Sequence, residues 1–267
     1  MKPNWVSRLG AAARRALREA AGGLVALCFP DECRVCRRPL EEPDRLPICA
    51  ACLGSFHVIA APMCATCGRP MVAGAQMGAS GPLCALCRRN VYAFDLARSY
   101  AAYDDSLLRT ITLLKHEAMH PLAAWLGARL ADVARSDGRA ASADVVVPVP
   151  LHPERQRERG FNQAELLARE VAKRLGLPME AKALERRKPR PTKLKLSRHE
   201  RWQAARGAYA AVTRTQFDNR RVLLVDDVFT TGATLDACAR ALRQAGAAHV
   251  TALSVARVVD AWAGSAP

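Results

Sequence analysis

From residue 93 onward the chain alternates two hydrophobic rhythms. Ala93–Ala102, Arg221–Val225 and His249–Val258 read as strands, and Ala143–Val149 is a short apolar run bounded by prolines, as a buried parallel strand would be. Between them, Asp105–Leu114, residues 121–135, Glu165–Leu175 and Ala233–Ala245 space their apolar residues by three and four, the period of an amphipathic helix. Asp137-Gly138, Gly176 and Gly246 stand just past three of these runs, where helices stop. This alternation predicts an α/β fold with an open, mostly parallel sheet covered on both faces. Ligands in such sheets sit beyond the carboxyl ends of the strands. Residues 188–196 contain two prolines and several cations without any period, and read as a mobile loop.

The start of the chain has a different rhythm. Trp5, Leu9, Ala13, Ala16 and Leu17 form the apolar stripe of an amphipathic helix expected over residues 1–29. Ala20–Pro30 is far shorter than the ~20 apolar residues of a spanning helix, and no membrane span is expected. A signal peptide is also disfavoured, because Phe29-Pro30-Asp31 follows where a small-residue cleavage site should be. The expected compartment is therefore the cytoplasm.

Between these two parts the apolar pattern gives way to cysteine. Eight of the ten cysteines form four C-x-x-C pairs, Cys33/Cys36, Cys49/Cys52, Cys64/Cys67 and Cys84/Cys87. One such pair puts two thiolates on a small loop, and two loops complete a tetrahedral zinc shell. In a cytosolic chain thiols stay reduced, so zinc is favoured over disulfides. The segment also repeats: Cys33-Arg34-Val35-Cys36-Arg37-Arg38-Pro39-Leu40 parallels Cys64-Ala65-Thr66-Cys67-Gly68-Arg69-Pro70-Met71. Duplication argues that consecutive pairs share a metal, with an interleaved arrangement left open. Four thiolates leave no open position, so both sites are structural. Residues 33–87 also lack the large apolar side chains of an independent core, which two zinc ions would offset. Of the two remaining cysteines, Cys238 falls on the apolar side of a helix with Leu235 and Leu242, and reads as a buried inert thiol.

Charge adds one further fact. The formal net charge is +15, and ten Lys/Arg lie between Lys182 and Arg206 against Glu185 and Glu200. Such a field favours phosphate esters, pyrophosphate or nucleic acid, although a basic solvated surface would look the same.

The most informative chemistry lies in Val222-Leu223-Leu224-Val225-Asp226-Asp227-Val228-Phe229-Thr230-Thr231-Gly232-Ala233-Thr234-Leu235. An apolar strand delivers two adjacent carboxylates, and a Thr-Thr-Gly loop then opens a helix. Free N–H groups at a helix N-terminus, together with hydroxyls, make a phosphate cradle. The carboxylates suit the hydroxyls of a sugar, with Mg²⁺ held nearby through a pyrophosphate. A second loop, Val147-Pro148-Val149-Pro150-Leu151-His152, follows another buried strand, and Arg155, Arg157 and Arg159 come next as a pyrophosphate clamp.

The first string resembles the signature of the type I phosphoribosyltransferases. That resemblance implies ribose contacts for Asp226 and Asp227 and a 5-phosphate site at Thr230, Thr231, Gly232, Ala233 and Thr234. It also implies that Val149, Pro150 and Leu151 form the pyrophosphate loop. The combination V-P-V-P-L-H-P then R-x-R-x-R-G-F-N-Q-A resembles the ComF family, a phosphoribosyltransferase-like group tied to bacterial DNA uptake. Leu27-Cys28-Phe29-Pro30, the double zinc ribbon, Lys115 and the acidic pair fall in the family's order. The chain departs from it near Lys195 and Ala204, while Ser197, Arg201 and Gly207 fit. On this resemblance, residues 30–90 form a small N-terminal double zinc-ribbon domain. Residues 91–260 form a phosphoribosyltransferase-like domain with a sheet of the type I kind, and 261–267 a tail.

His116-Glu117-Ala118-Met119-His120 matches the H-E-x-x-H zinc protease motif, but Pro121 biases His120 away from a continuous helix and no third ligand is evident. Three functions remain. The chain could bind phosphoribosyl pyrophosphate (PRPP), or a related ribose phosphate, with Mg²⁺ as a sensor. It could engage single-stranded DNA and the DNA-uptake machinery in natural competence. It could instead transfer phosphoribose to a nitrogen base in nucleotide salvage. An acceptor pocket would need apolar or aromatic lining, for which Phe161, Trp202 and Phe229 are the candidates.

Overall fold

The computed structural model describes residues 32–40, 46–71, 77–78, 81–116, 119–189, 196–213 and 217–259. The helix expected over 1–29, Cys28, and part of the loop expected over 188–196 lie outside these residues. So does the tail at 261–267. The chain falls into two compact units, Met1–Ser55 and Phe56–Pro267.

The described part of the first unit is a zinc ribbon half. Glu32 and Pro39 bridge across a knuckle in which Cys33 N–H donates to Arg38 O and Arg37 N–H to Cys33 O. Cys49 then caps the short helix α1 (Ala50–Gly54), whose inward residue is Cys52. Val35, Leu46 and Ile48 are buried beside the sulfurs, and little else is.

The second unit begins with the same motif. Met63 bridges Pro70, Cys64 N–H donates to Arg69 O, and Gly68 N–H donates to Cys64 O. A two-residue hairpin, β1 (Met77–Gly78) and β2 (Gly81–Pro82), leads to Cys84, which caps α2 (Ala85–Arg88). The sheet then forms from β3 (Leu96–Ala102), β4 (Val145–Pro148), β7 (Arg221–Phe229) and β8 (His249–Arg257) in the order β3-β8-β7-β4, with every pairing parallel. A separate antiparallel pair joins β5 (Leu184–Arg186) to β6 (Tyr209–Ala211).

Helices α3 (Asp105–His116), α4 (His120–Ser136), α7 (Gln163–Leu175) and α9 (Ala233–Gln244) bury one stripe each. In α3 the stripe is Leu107, Thr110, Ile111 and Leu114, and each such buried aliphatic contributes roughly 1.5–3 kcal/mol. Asp104 starts α3 by accepting from Leu107 N–H at 2.8 Å, and Asn162 starts α7 by accepting from Ala164 N–H at 3.0 Å. Gly176 ends α7 in the left-handed region. Shorter helices are α5 (Gly138–Ala141), α6 (Pro153–Arg159) and α8 (Arg198–Ala205), the last opened by a Ser197/Glu200 capping box.

Both outer strands of the sheet are partnered by loops. Along β3, Ala97 N–H donates to Thr66 O (2.7 Å) and Ala102 N–H to His57 O (2.8 Å), while Ile59 N–H donates to Tyr100 O (3.0 Å). Along β4, Val146 N–H donates to Pro178 O and Val146 O accepts from Glu180 N–H, both at 2.9 Å.

The fold is as expected, an α/β domain on a mostly parallel sheet with a cysteine-rich N-terminal region. One element differs in length. The apolar run suggests a strand ending at Val225, yet β7 continues to Phe229, because Asp226, Val228 and Phe229 stay paired with Ser254, Ala256 and Arg257 of β8. The H-E-x-x-H string does not lie on one helix. His116 ends α3 and His120 begins α4.

Candidate functional site

The cysteines form two tetrads, Cys33/Cys36/Cys49/Cys52 and Cys64/Cys67/Cys84/Cys87, each with its sulfurs within 4.8 Å of one another. Consecutive pairs therefore share a site, and the interleaved arrangement does not occur. Four sulfurs placed ~2.3 Å from a central zinc must lie ~3.8 Å apart, at the corners of a tetrahedron. The observed separations are 3.8 Å for Cys33–Cys52 and 3.7 Å for both Cys36–Cys49 and Cys67–Cys84. Disulfide sulfurs would sit at ~2.05 Å, and all nine described cysteines are free. The donor set fits structural zinc. Cys238, in contrast, is fully buried in α9, and burial raises its thiol well above the ordinary range.

The two tetrads sit in different surroundings. Cys36 is exposed, whereas all four cysteines of the second tetrad are buried and share one apolar cluster with Phe94, Val145, Leu224 and Phe229 of the sheet unit. Arg98 and Arg139 donate to Ala65 O, at 3.2 and 3.0 Å. Arg257, at the end of β8, donates to Cys67 O at 2.7 Å.

The carboxyl ends of β4 and β7 open into a cavity of about 660 Å³. Val149, Pro150 and Leu151 line one side of it; Asp226, Thr230, Thr231, Ala233 and Thr234 line another. The first loop is fixed from behind, because Asn162 Nδ2 donates to Val149 O at 3.0 Å and Val149 N–H donates to Val225 O. The second loop turns at Gly232, whose φ of +83° suits glycine. A Cβ there would meet the rings of Phe229 and Tyr92 at 2.6 Å, so the backbone lies directly against them. Tyr92 OH donates to Thr231 O (3.1 Å) and Ala93 N–H to Asp236 Oδ1 (2.7 Å), which ties the first turn of α9 to the segment after the second tetrad.

Asp226 and Asp227 are both buried. Asp227 N–H donates to Asp226 Oδ1, and Lys115, from α3, pairs with Asp227 Oδ2. Burial first, and then the adjacent Asp227 charge, push the Asp226 carboxyl well above the usual range. Burial would raise Asp227 too, but the Lys115 ammonium together with hydrogen bonds from Asp226 and the backbone holds Asp227 below its ordinary value. The two adjacent carboxyls are therefore shifted in opposite directions, Asp226 by burial beside a like charge and Asp227 by its cationic partner.

Lys115, Arg69, Arg186, Arg198, Arg201 and Arg257 also line the cavity, with Tyr92, Tyr103 and Tyr209 as its aromatic surface. Burial pushes Tyr92 up to about 12, so its OH stays a donor at neutral pH. Arg155, Arg157 and Arg159 are not brought to the cavity. They lie on α6, which buries none of its residues; Arg155 pairs with Glu158 and Arg159 donates to Gln163 Oε1. Sequence reasoning passed over Arg257 and Tyr92, since neither belongs to a local motif.

Comparison with known proteins finds two domain matches. The double zinc ribbon domain matches residues 24–88 and the phosphoribosyl transferase domain matches residues 162–262. The chain joins a double zinc ribbon to a phosphoribosyl transferase domain. It is similar to Competence protein F of Haemophilus influenzae, 29% identical over 221 residues that cover 78% of this chain and 96% of that protein. Competence protein ComFC of Bacillus subtilis is 28% identical over 239 residues, covering 82% and 87%. DNA utilization protein YhgH of Escherichia coli K12 is 28% identical over 236 residues, covering 87% and 100%. The ComF resemblance thus extends over most of the double-ribbon phosphoribosyl transferase chain. Among the described residues, no helix is long and apolar enough to cross a membrane.

Proposed function

We propose that the cavity binds PRPP, or a related ribose phosphate, and that the protein uses this site in DNA uptake during natural competence, in the cytoplasm. The observation that carries the reading is the convergence of the 149–151 loop, Asp226 and the Thr230–Thr234 helix start on one cavity. Backbone N–H groups and hydroxyls at the start of α9 suit a 5-phosphate. Asp226 and Asp227 suit the ribose hydroxyls, and the cations that line the cavity suit a pyrophosphate. Among the described residues, the only clusters of three or more potential metal ligands are the cysteine tetrads. Mg²⁺ would therefore be carried largely by the ligand's phosphates, as is usual for that ion.

Titration calorimetry with Mg²⁺ and PRPP tests the reading. Binding is expected, and Asp226→Asn with Asp227→Asn should weaken it by ~1.5–3 kcal/mol per charged hydrogen bond. Unchanged affinity in the double variant would move the site elsewhere.

The competence role is supported by the named relatives and by the basic stretch from Lys182 to Arg206. Single-stranded DNA should bind with an affinity that falls steeply with added salt. Charge reversal at Arg186, Arg187, Lys188 and Arg190 should cost far more than reversal elsewhere, and equal losses would refute a dedicated DNA surface. Transfer to a nitrogen base is the second reading, favoured by the tyrosines that line the cavity. Pyrophosphate release that depends on one added base, and that disappears in the Asp226/Asp227 double variant, would establish it.

A further inference from the structure

The second tetrad touches the phosphate loop through a short chain of side chains. Arg257 is 4% exposed, yet it is among the residues that line the cavity. Nη1 donates to Cys67 O at 2.7 Å and Nη2 reaches Cys67 Sγ at 3.4 Å. Its guanidinium carbon also lies 4.0 Å from the centre of the Phe229 ring. Phe229 is the last residue of β7 and directly precedes Thr230. Its ring lies against the backbone of Gly232, edge-on to the ring of Tyr92, which stacks on Phe94 at 4.6 Å. A buried guanidinium needs compensating negative charge, and Cys67 Sγ, as a metal-bound thiolate, would supply it. Arg139 and Arg98 reach the ribbon as well, but neither touches the loop. Among the described residues nothing equivalent is built on the first tetrad, whose cation neighbour Arg38 is exposed.

We propose that Arg257 is a positioning residue that makes the second zinc tetrad part of the phosphate site. Cys67 anchors the guanidinium, the guanidinium fixes the Phe229 ring, and the ring sets the backbone of residues 230–232. Metal at this tetrad then governs how well the loop is formed, and metal at the first tetrad does not. The ligand half of this inference rests on the PRPP reading above; the loop half does not.

Hydrogen exchange on the full chain, comparing Arg257→Met, Arg257→Lys and Cys36→Ser with wild type, separates the two halves. In Arg257→Met, exchange of amides 229–235 should rise by about tenfold or more, the scale of one lost charged hydrogen bond. Exchange in α4 and α7 should not change, and zinc content should stay at the wild-type value. Arg257→Lys, which keeps the charge but not the planar fork, should fall between. Cys36→Ser should leave 229–235 as in wild type. Calorimetry with Mg²⁺ and PRPP should show a parallel loss of about tenfold in Arg257→Met. Unchanged exchange at 229–235 in Arg257→Met would overturn the proposal, as would a rise spread equally over the sheet. A wild-type protein that binds no PRPP would instead defeat the PRPP reading and leave the exchange result to decide the coupling.

Discussion

The two halves of the zinc ribbon share the backbone of their first knuckle and differ in the residue at its left-handed position. In each, the residue after the second cysteine takes the left-handed conformation, Arg37 at φ +62° and Gly68 at φ +67°. In each, a backbone N–H of the following pair points at the first sulfur, Cys49 to Cys33 Sγ at 3.3 Å and Cys84 to Cys64 Sγ at 3.4 Å. The conformation therefore belongs to the metal knuckle, and an L-residue there carries ~1–2 kcal/mol of strain. The first knuckle tolerates arginine because its position is exposed. The second does not, because a Cβ on Gly68 would lie 2.7 Å from Ala97 O of β3. Identical ligand chemistry is thus compatible with opposite roles, and the neighbours of the knuckle decide which role it takes.

Three experiments would break or sharpen this contrast. Replacing one cysteine of each tetrad should have the largest effect. Cys64→Ser opens a site at the centre of the sheet unit's apolar cluster, and structural zinc is worth an apparent ~10–16 kcal/mol in small ribbons. The cooperative thermal transition of the sheet should be lost or strongly lowered. Cys33→Ser should remove one zinc and leave that transition in place. Equal losses would end the contrast.

Next comes the exchange of residues at the left-handed position. Gly68→Arg forces a side chain against β3 and should cost about 2–4 kcal/mol in denaturant unfolding. The reverse change, Arg37→Gly, should stay within about 1 kcal/mol and can be favourable, since glycine relieves the strain. A Gly68→Arg protein of wild-type stability would show that the contact with Ala97 is not tight.

The smallest effect is kinetic. A chelator should remove zinc in two phases, the faster from the tetrad with exposed Cys36, separated by about tenfold in rate, or ~1.4 kcal/mol of barrier. Cys36→Ser should delete the fast phase alone. A single phase would mean that exposure does not limit metal loss.

Much of this fold is legible because its signals are local. Helices α3, α4, α7 and α9 follow the apolar spacing, and the cysteine pairs name their own ligands. Other elements carry no such signal. Helix α6, Pro-Glu-Arg-Gln-Arg-Glu-Arg, is charged all round and buries nothing, so it has no apolar period to read. It also explains why Arg155, Arg157 and Arg159 stand apart from the 149–151 loop although they follow it closely in sequence. The extension of β7 through Asp226 and Asp227 is imposed by pairing with β8, which overrides the break in its apolar run. Burial of that acidic pair depends on Lys115, more than a hundred positions earlier. Arg257 and Tyr92 reach the cavity only through tertiary packing, and the grouping of the cysteine pairs needed coordinates to separate consecutive from interleaved.

An open four-stranded parallel sheet has two raw edges, and each is a row of donors and acceptors that another chain could extend. Here β4 is short, ends in Pro148, and is shielded by Pro178–Glu180. The edge of β3 has no such protection of its own and is covered by His57–Ile59 and by Thr66, which lies between two zinc ligands. Metal at the second tetrad, by holding Thr66 against Ala97, should therefore also guard this edge against aggregation. A chain that has lost it should expose the free edge of the seven-residue strand Leu96–Ala102 to its neighbours in solution, and growth of oligomers by strand addition should accompany the fall in the sheet's thermal transition.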